Sequence, residues 1–380
     1  MKVAIAGIQE FEHVYNLFHE KKSKELEIVA FFDLINYNTT DWYFENNIPH
    51  VRLDELKEMY RHEIDAILIC HENIRDVNLL AEVLFDSGME NIYIPYTYVL
   101  KQNIDFLGDN DFVHEYVYRP TWEKPFLTML ETHVTDLCNL KCKGCLHFSP
   151  LVDKEGPISN EQFEKDISRL SELFENILTF RLLGGEPLLN QVRLKDFIVT
   201  YRKHFKKTEL QIFTNGLLIP KCTNELLNCI RENNVTVYIT AYPPTLLMQK
   251  IIEGILRKNS IRYELSEPVE RFTKFLTLIP HGSAIETHEK CPSKRCHALT
   301  NGKLARCSYS AYINAFNTKF DSTIHSNGLI DIYASKDGWE INDKLKSAID
   351  MCEYCIPYDP VDFQWEQIGT IIKIEDWVVV

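Results

Sequence analysis

The stretch ETHVTDLCNLKCKGCLHFSP, residues 131–150, carries three cysteines on one short segment that includes the end of a strand-like apolar pattern. The cysteines are Cys138, Cys142 and Cys145, in the spacing C-x3-C-x2-C. Four thiolates would close a tetrahedral zinc site or an iron–sulfur cluster, whereas three leave one metal position open. The spacing therefore predicts a metal centre whose open position receives a cofactor or a substrate. A structural zinc site and cysteines that only pack remain alternatives at this point.

The segment lies in a longer alternation of strand-like and helix-like patterns over residues 125–285. Six short runs have the composition of strands, and helix-like segments separate most of them: FLTMLETHV, NILTFRLLG, TELQIFTNG, VTVYITAY, SIRYELSE and KFLTLIP. Such alternation predicts βα units and a curved parallel sheet, as in part of a TIM barrel. Active sites in such folds lie at the carboxyl ends of the strands, and the cysteine segment follows the first strand.

Two more strand ends carry glycine-containing motifs. LLGGEP, residues 182–187, ends the second predicted strand, and FTNG, residues 213–216, ends the third. Each motif alone is compatible with an ordinary turn, because Gly-Gly and Asn-Gly are common turn dipeptides. Adjacent glycines also let backbone carbonyls approach a ligand closely. Three such features at successive strand ends are harder to attribute to turns, and they favour one shared site.

Together, CNLKCKGC, GGEP and TNG resemble the motifs of the radical S-adenosylmethionine (SAM) superfamily over residues 127–285. The resemblance implies an α/β fold with a partial (β/α)6 barrel of the TIM type and a [4Fe–4S] cluster on Cys138, Cys142 and Cys145. It also implies that SAM chelates the open iron through its amino and carboxylate groups. The SAM-binding residues that it suggests are Gly184, Gly185, Glu186, Thr214, Asn215 and His147.

One position departs from the family pattern. The residue before the last cysteine is often aromatic in the family, and Gly144 stands there in this chain. His147 or Phe148 is the candidate for the missing ring contact to adenine. In the family, the reduced cluster cleaves SAM to a 5′-deoxyadenosyl radical, which abstracts hydrogen from an inert C–H bond. The protein then has to place the substrate and exclude water, and a flavodoxin or ferredoxin is implied as the electron donor.

Five cysteines follow the predicted barrel: Cys291, Cys296, Cys307, Cys352 and Cys355. With a late C-x2-C pair and a hairpin turn at NGKL, residues 301–304, they resemble the Twitch or SPASM extensions of radical SAM enzymes. The resemblance implies a second, auxiliary [4Fe–4S] cluster. Five ligands are one too many for it: Cys307, Cys352 and Cys355 are the firmer choices, and either Cys291 or Cys296 completes the set. A zinc ribbon is the alternative.

The start of the chain alternates short apolar runs with helix-like spacers: KVAIAGI, EIVAFFDL, IDAILIC and NIYIPY. This alternation predicts βαβ units and a Rossmann-like domain. Asp33 lies where dinucleotide-binding folds often have a ribose-binding acid, but only Gly7 of the glycine fingerprint is present. The prediction is therefore a domain that binds no dinucleotide, with a nucleotide or a nucleotide-linked substrate as the alternative. The predicted domains are a Rossmann-like domain at 1–100, a linker at 101–124, the barrel at 125–285 and an auxiliary-cluster domain at 286–380.

The composition limits the partners and the compartment. The chain has 380 residues, a net charge of −14 and 45% hydrophobic residues, enough to fill two or three domains. The negative charge argues against nucleic-acid binding, and the brief apolar run at the start fits neither a signal peptide nor a membrane span, so we expect a cytoplasmic protein. Eleven cysteines without a secretion route favour metal ligation over disulfides. Cys70, Cys222 and Cys229 are predicted to pack in the interior.

Substrate contacts are expected from strand ends and loops near the cluster, and the candidates are Thr240, Tyr242 and Tyr309. No catalytic acid or base is identified. The leading hypothesis is a radical SAM enzyme that dehydrogenates or epimerises a small polar substrate, a sugar or a nucleotide sugar. CKGC followed by HFSPL also resembles radical SAM proteins of polysaccharide assembly. The alternatives are a peptide-modifying maturase and a catalytically inactive, zinc-stabilised binding protein.

Overall fold

The structure of this protein is a computed structural model. The residues that it describes are 2–7, 27–34, 48–69, 74–89, 91–95, 117–118, 123–156, 159–206, 208–325 and 327–379. The chain divides into two compact units, which are Met1–Thr128 with Lys207–Glu209 and Met129–Lys206 with Leu210–Val380. Within the described residues, no helix is long and apolar enough to cross a membrane. The domain boundaries given above stay predictions.

The N-terminal unit contains one six-stranded sheet. Its strands are β1 Lys2–Ala6, β2 Glu27–Phe32, β3 His50–Val51, β4 Ala66–Ile69, β5 Ile92–Pro95 and β6 Val117–Tyr118. They lie in the order β3-β2-β1-β4-β5-β6; the first five are parallel, as the apolar runs predict, and β6 is antiparallel to β5. Helices α1 Leu53–His62 and α2 Ile74–Asp86 follow β3 and β4. The whole of β4 is buried, which suits an apolar run inside a parallel sheet.

Two predicted features of a nucleotide site lie at the ends of β1 and β2. Gly7 has φ of +97°, and its N–H donates to the Phe32 carbonyl at 2.9 Å. Asp33 accepts a hydrogen bond from the Leu34 N–H on Oδ1 at 2.6 Å. The rest of the first turn, residues 8–12, lies outside the described residues, as does Cys70. A nucleotide handle in this unit therefore stays a prediction.

The second sheet carries the cysteine segment. The remaining strands are β7 Phe126–Thr135, β8 Asn176–Gly184, β9 Glu209–Thr214, β10 Thr236–Ile239, β11 Tyr263–Leu265, β12 Arg271–Lys274, β13 His297–Thr300, β14 Lys303–Ala305, β15 Ile330–Asp331 and β16 Val361–Gln364. Eight of them form one sheet in the order β11-β10-β9-β8-β7-β13-β14-β15. The first five predicted strands, β7 to β11, are therefore confirmed as neighbours in chain order.

The predicted sixth strand, KFLTLIP at residues 274–280, is wrong. Only Lys274 belongs to a strand, β12, and that strand pairs antiparallel with β16 in a separate two-stranded sheet. Leu276 makes single bridges to Cys355 and Val378 instead. The additional parallel strand is β13, which joins the opposite edge of the sheet beside β7. The predicted barrel and the predicted auxiliary-cluster domain thus both contribute strands to one sheet.

The predicted hairpin at NGKL is confirmed. It joins β13 and β14, which are antiparallel, and both turn residues, Asn301 and Gly302, have positive φ. Positive φ at both central positions is what a tight hairpin turn requires, and Asn-Gly adopts it at low cost. The Gly302 N–H also donates to Asp166 at 2.8 Å, which holds the turn against the helix that contains Asp166.

Helices separate most of the strands of the second unit along the chain. They are α3 Asn160–Leu173, α4 Gln191–His204, α5 Asn224–Glu232, α6 Pro243–Lys258, α7 Ala284–Lys290, α8 Ser308–Phe320 and α9 Gly338–Leu345. At the start of α3, the Ser159 side chain accepts from the Gln162 N–H at 2.9 Å, as a helix cap does. The Gln162 side chain donates to the Asp166 carboxylate, one turn further along the helix, at 2.7 Å.

One hydrophobic core connects the cysteine segment with the C-terminal part of the second unit. Its buried members are Phe148, Leu151, Leu276, Ile313, Phe316, Ile324, Met351, Trp377 and Val378. Each large apolar side chain in such a core contributes roughly 1.5–3 kcal/mol relative to exposure. The cysteine segment is therefore fixed from both sides, by its own strand and by residues more than 200 positions later in the chain.

Candidate functional site

A cavity of about 460 Å³ lies at the carboxyl end of β7 to β10. Ten of the residues predicted from the sequence line it: Cys138, Cys142, Cys145, His147, Gly184, Gly185, Thr214, Asn215, Thr240 and Tyr242. Ligand cavities for small molecules typically have volumes of about 300–1,000 Å³. The strand-end motifs thus converge on one space of the size of a small-ligand site.

Hydrogen-bond donors point at all three sulfur atoms of this loop. The Leu140 N–H donates to the Cys138 sulfur at 3.4 Å, and the Trp365 indole N–H donates to the Cys142 sulfur at 3.2 Å. The backbone N–H groups of His147, Phe148 and Ser149 donate to Cys145. Such donors stabilise thiolates, which are the form that binds metals.

Burial raises the pKa of all three thiols, that of Cys145 to about 11. For Cys142, the neighbouring Cys145 thiolate raises the pKa further, and the Trp365 hydrogen bond opposes this. Three clustered thiolates are therefore costly unless a positive charge joins them. A group of irons supplies that charge, and the soft thiolate donors fit it.

The residues present therefore fit a [4Fe–4S] cluster bound through three cysteines, and the same three cysteines line the cavity. Within the described residues, no three His, Cys, Asp or Glu side chains are grouped closely enough to hold a single metal ion. A cluster does not need such a group, because each thiolate binds a different iron.

The two adjacent glycines have a structural reason that differs from the predicted one. A Cβ on Gly184 would lie 2.1 Å from the Thr135 carbonyl oxygen, and one on Gly185 would lie 2.1 Å from the Leu137 carbonyl oxygen. The Gly185 N–H also donates to the Thr135 oxygen at 2.8 Å. The glycines therefore let the end of β8 pack against the backbone that leads into the cysteine loop, in addition to lining the cavity.

Glu186 follows Gly184 and Gly185, which line the cavity, but is not itself among the lining residues. Its side chain is fully buried, and it accepts from the Thr214 hydroxyl at 2.7 Å and from the N–H groups of Asn215 at 2.9 Å and Leu188 at 3.0 Å. Burial raises the pKa of Glu186 to about 7, and these three donors oppose the shift. The carboxylate thus ties the end of β8 to the end of β9, and its predicted contact with SAM stays a prediction.

His147 lines the cavity as a neutral side chain. Its Nδ1 is 2.9 Å from Nε2 of His133, whose Nδ1 is 2.7 Å from Asp136. Burial lowers the pKa of His147 to about 3, and His133 adds to the shift. Phe148, the other candidate for the adenine contact, is fully buried in the hydrophobic core and does not line the cavity.

Sequence reasoning missed the far wall of the cavity. Arg271, Phe272 and Thr273 of β12, with Phe275, complete the lining. Arg271 donates to the Asp362 carbonyl at 3.1 Å, and Thr273 donates to the Asp362 carboxylate at 2.6 Å, so the wall depends on β16. No motif in the sequence indicates it, because the partner strand lies about 90 residues further along the chain.

Tyr242, predicted as a substrate contact, lies beside the three thiols. Burial raises the pKa of its hydroxyl well above the ordinary value, and the charges of Cys142, Cys145 and Cys138 add to this. Its ring centroid is 5.7 Å from that of Trp365. Thr240 lines the same cavity, whereas Tyr309 does not.

The structure separates the C-terminal cysteines. Burial and then the thiolate charges of Cys307, Cys291 and Cys352 raise the pKa of Cys355. The charges of Cys307 and Cys352 raise the pKa of Cys291, and the charge of Cys307 raises the pKa of Cys352. Four thiols, Cys291, Cys307, Cys352 and Cys355, therefore lie within electrostatic reach of one another.

Tyr309 lies between the two cysteine sets. Burial raises the pKa of its hydroxyl, and the charges of Cys355, Cys307 and Cys145 contribute in that order. Cys222 and Cys229 agree with the predicted packing role. Cys229 is buried on α5, and the half-buried Cys222 thiol donates to the Leu218 carbonyl at 3.7 Å.

Comparison with known proteins agrees with this geometry. Residues 130–240 match the family of 4Fe-4S single cluster domains. The chain is 34% identical to GTP 3',8-cyclase of Aliarcobacter butzleri over 142 residues, which is 35% of this chain and 43% of the relative. It is 33% identical to GTP 3',8-cyclase of Helicobacter pylori over 113 residues, 28% of this chain and 34% of the relative. The chain thus spans less than half the length of these relatives.

Among solved structures, the chain is similar to BtrN in complex with AdoMet and 2-DOIA, with a TM-score of 0.35, 16% identity and coverage of 61% of this chain and 94% of that one. It is also similar to native anSMEcpe with bound AdoMet, with a TM-score of 0.31, 22% identity and coverage of 37% and 44%.

The site and the matching segment define an iron–sulfur protein whose cluster loop lies on a parallel α/β sheet. The cluster-domain match and the curated relatives are in keeping with the radical SAM resemblance and with a [4Fe–4S] cluster and SAM as cofactors. The prediction of these cofactors is confirmed at this level, and the radical SAM class is supported.

Proposed function

We propose that this protein is a radical SAM enzyme that dehydrogenates a nucleotide-linked sugar. The observation that carries the proposal is the single cavity that brings the cysteine triplet together with Thr240, Tyr242 and the guanidinium-bearing Arg271. A sugar carbon at this position would face the cluster loop, and a charged group of the same substrate would reach Arg271.

Cys138, Cys142 and Cys145 would hold the cluster, and the lining residues at the ends of β8 and β9 would form the wall against SAM. Once bound, the two cofactors supply a 5′-deoxyadenosyl radical that takes a hydrogen atom from the substrate. The chain's own contribution is an aromatic wall, in which the half-buried Phe213, Phe272 and Tyr242 would exclude water from the reacting carbon. His147, held neutral by burial, adds no charge to this wall.

Arg271 favours an anionic substrate. Of the cavity-lining residues that the structure describes, it is the only one with a permanent positive charge. A guanidinium pairs with phosphate oxygens in two parallel hydrogen bonds, which gives both affinity and orientation. The curated relatives are named for GTP, a nucleotide, which is in keeping with a nucleotide-linked substrate here.

The second cysteine set favours dehydrogenation over epimerisation. After one hydrogen atom leaves an alcohol carbon, one more electron and the hydroxyl proton must leave to give the carbonyl. Cys291, Cys307, Cys352 and Cys355 would hold an auxiliary [4Fe–4S] cluster, which supplies a one-electron acceptor. Epimerisation would instead return a hydrogen atom to the carbon and would need no acceptor. The electron that starts the reaction would come from a flavodoxin or a ferredoxin.

The test is an anaerobic assay with reduced protein, SAM and deuterated candidate substrates. We expect deuterium in 5′-deoxyadenosine, and a ketone product, with nucleotide sugars labelled at one carbon. The Cys142→Ala variant, which lacks one ligand of the cluster, is the control that measures any deuterium transfer that does not depend on the site. Deuterium transfer from peptides but not from nucleotide sugars would instead support a peptide-modifying maturase. Absence of SAM cleavage together with bound zinc would support the inactive, zinc-stabilised binding protein.

A further inference from the structure

The C-terminal segment 361–378 lies directly on the cysteine loop. The Lys143 N–H donates to the Glu366 carbonyl at 2.9 Å, and the Ile368 N–H donates to the Lys141 carbonyl at 2.9 Å. Cys142 and Gln367 form the antiparallel bridge between these two bonds. A short strand-like pairing therefore joins the middle cysteine to a segment more than 220 residues later in the chain.

Side chains of the same segment secure the pairing. The Gln367 amide donates to the Leu140 carbonyl at 2.7 Å, and the Trp377 indole donates to the Cys145 carbonyl at 3.1 Å. The Phe363 ring packs against Gly144, where a Cβ would lie only 2.6 Å from it. Gly144, which departs from the family pattern, thus makes room for a ring from the C-terminal segment.

One contact reaches a cysteine sulfur itself. The Trp365 indole N–H donates to Cys142 Sγ at 3.2 Å. The indole is held in place from two directions, because the Trp365 backbone N–H donates to the Glu270 carbonyl at 2.8 Å and its ring lies against that of Tyr242. The direction of this N–H is therefore fixed by the fold of the C-terminal segment.

We propose that Trp365 is a positioning residue that raises the reduction potential of the cluster on the cysteine triplet. Hydrogen bonds to cluster sulfurs are one of the factors that set such potentials. The reduced cluster carries one more negative charge than the oxidised one, so a donor at the sulfur stabilises the reduced form more. The inference rests on the proposed function, because it requires a cluster at this site.

The same contact links the two cysteine sets. Trp365 follows Cys355 by ten residues, with β16 between them. Cys355, a candidate ligand of the second set, is thus followed in the chain by the segment that contains Trp365. The Trp365 N–H donates to Cys142, a candidate ligand of the first set. Correct folding around the C-terminal cysteines therefore determines the donor at Cys142.

The test compares the Trp365→Phe variant with the wild type in an anaerobic redox titration monitored by electron paramagnetic resonance. The signal to follow is the one that Cys142→Ala lacks, which separates the two clusters. We expect about a tenfold lower ratio of reduced to oxidised cluster at a fixed solution potential, a shift of about 59 mV to more negative values for a one-electron couple. Trp339→Phe, at a tryptophan on α9 that is 44% exposed, is the matched control and should leave the potential unchanged.

The sign of the shift distinguishes the lost donor from a loosened site. Water that enters a loosened site would stabilise the more negatively charged reduced cluster and raise the potential. An unchanged or higher potential in Trp365→Phe would therefore overturn the inference. If that variant does not retain its cluster, benzothienylalanine at position 365, which keeps the ring shape and has no N–H, replaces it in the same titration. A wild-type protein without a cluster contradicts the proposed function itself, so the two failures are distinguishable.

Discussion

The two cysteine sets of this protein are assembled in different ways. Cys138, Cys142 and Cys145 come from one loop after β7, whereas Cys291, Cys307, Cys352 and Cys355 come from three separate parts of the second unit. The first set is defined by local spacing, and the sequence reveals it directly. The second set exists only when distant segments fold together. A ligand set within one loop can therefore be recognised from the sequence, whereas a dispersed ligand set can be recognised only in the folded protein.

The sets are nevertheless connected through the C-terminal segment. The loop receives its hydrogen-bond donor from Trp365 and its hydrophobic cover from Trp377. The local set is therefore complete in ligands but depends on the dispersed part of the chain for its surroundings. Substitutions that disrupt one cysteine set at a time therefore test whether the other set still holds its cluster.

The largest effect is expected from Cys142→Ala. Loss of one of three ligands should abolish SAM cleavage, with a decrease of at least about 10⁴-fold, because no other thiol of the loop can replace it. About four of eight irons should remain, held by the C-terminal set. The measurement is 5′-deoxyadenosine formation together with the iron content. Cleavage that survives the change would show that the triplet does not hold the cluster.

Variants of Cys291 and Cys296 distinguish the two candidates for the fourth ligand of the auxiliary cluster. Cys291→Ala should remove the auxiliary cluster and stop product formation, while SAM cleavage continues without coupling to product. Cys296→Ala should keep both clusters, because Cys307, Cys291 and Cys352 are the thiols whose charges raise the pKa of Cys355. Iron content and product yield measure both variants. The reverse pattern would reassign the fourth ligand to Cys296.

A smaller effect is expected at the far wall. Arg271→Gln should raise the KM for the substrate about tenfold to a hundredfold, because hydrogen bonds to charged groups contribute roughly 1.5–3 kcal/mol. Arg271→Lys, which keeps the charge but not the paired donors, should recover part of the loss. The KM for SAM should stay the same in both. A rise in the KM for SAM alone would place Arg271 against SAM and would remove the support for an anionic substrate.

The smallest effect concerns stability. Gly184→Ala should destabilise the protein by about 2 kcal/mol or more, because the added Cβ meets the Thr135 carbonyl and φ is +143°. Gly254→Ala is the matched control: it lies on α6 with no atom within 4 Å of an added Cβ, and we expect it to stabilise slightly. Thermal unfolding of the cluster-containing proteins measures both. Equal midpoints in the two variants would contradict the packing role of Gly184.

The sequence predicted the local features well. β7 to β11, the Asn-Gly hairpin and the convergence of three strand-end motifs on one cavity all follow from patterns within a few residues. The second strand-end motif was located correctly, although its glycines also serve close packing against Thr135 and Leu137.

What could not be predicted depends on pairing over long distances. KFLTLIP has a strand-like composition, yet its neighbours are Cys355 and Val378, so it lies outside the parallel sheet. The strand that joins β7 instead, β13, has only four residues, and its partner precedes it by 167 residues. For the same reason Arg271 and Trp365 carry no sequence signal, since each acts on residues that the fold alone brings near.

The content of iron, acid-labile sulfide and zinc in protein purified without oxygen tests whether both cysteine sets hold clusters. We expect about eight irons and eight sulfides per chain, which corresponds to one [4Fe–4S] cluster at the cavity and one on the C-terminal cysteines. Zinc in place of iron, or iron without inorganic sulfide, would contradict this expectation.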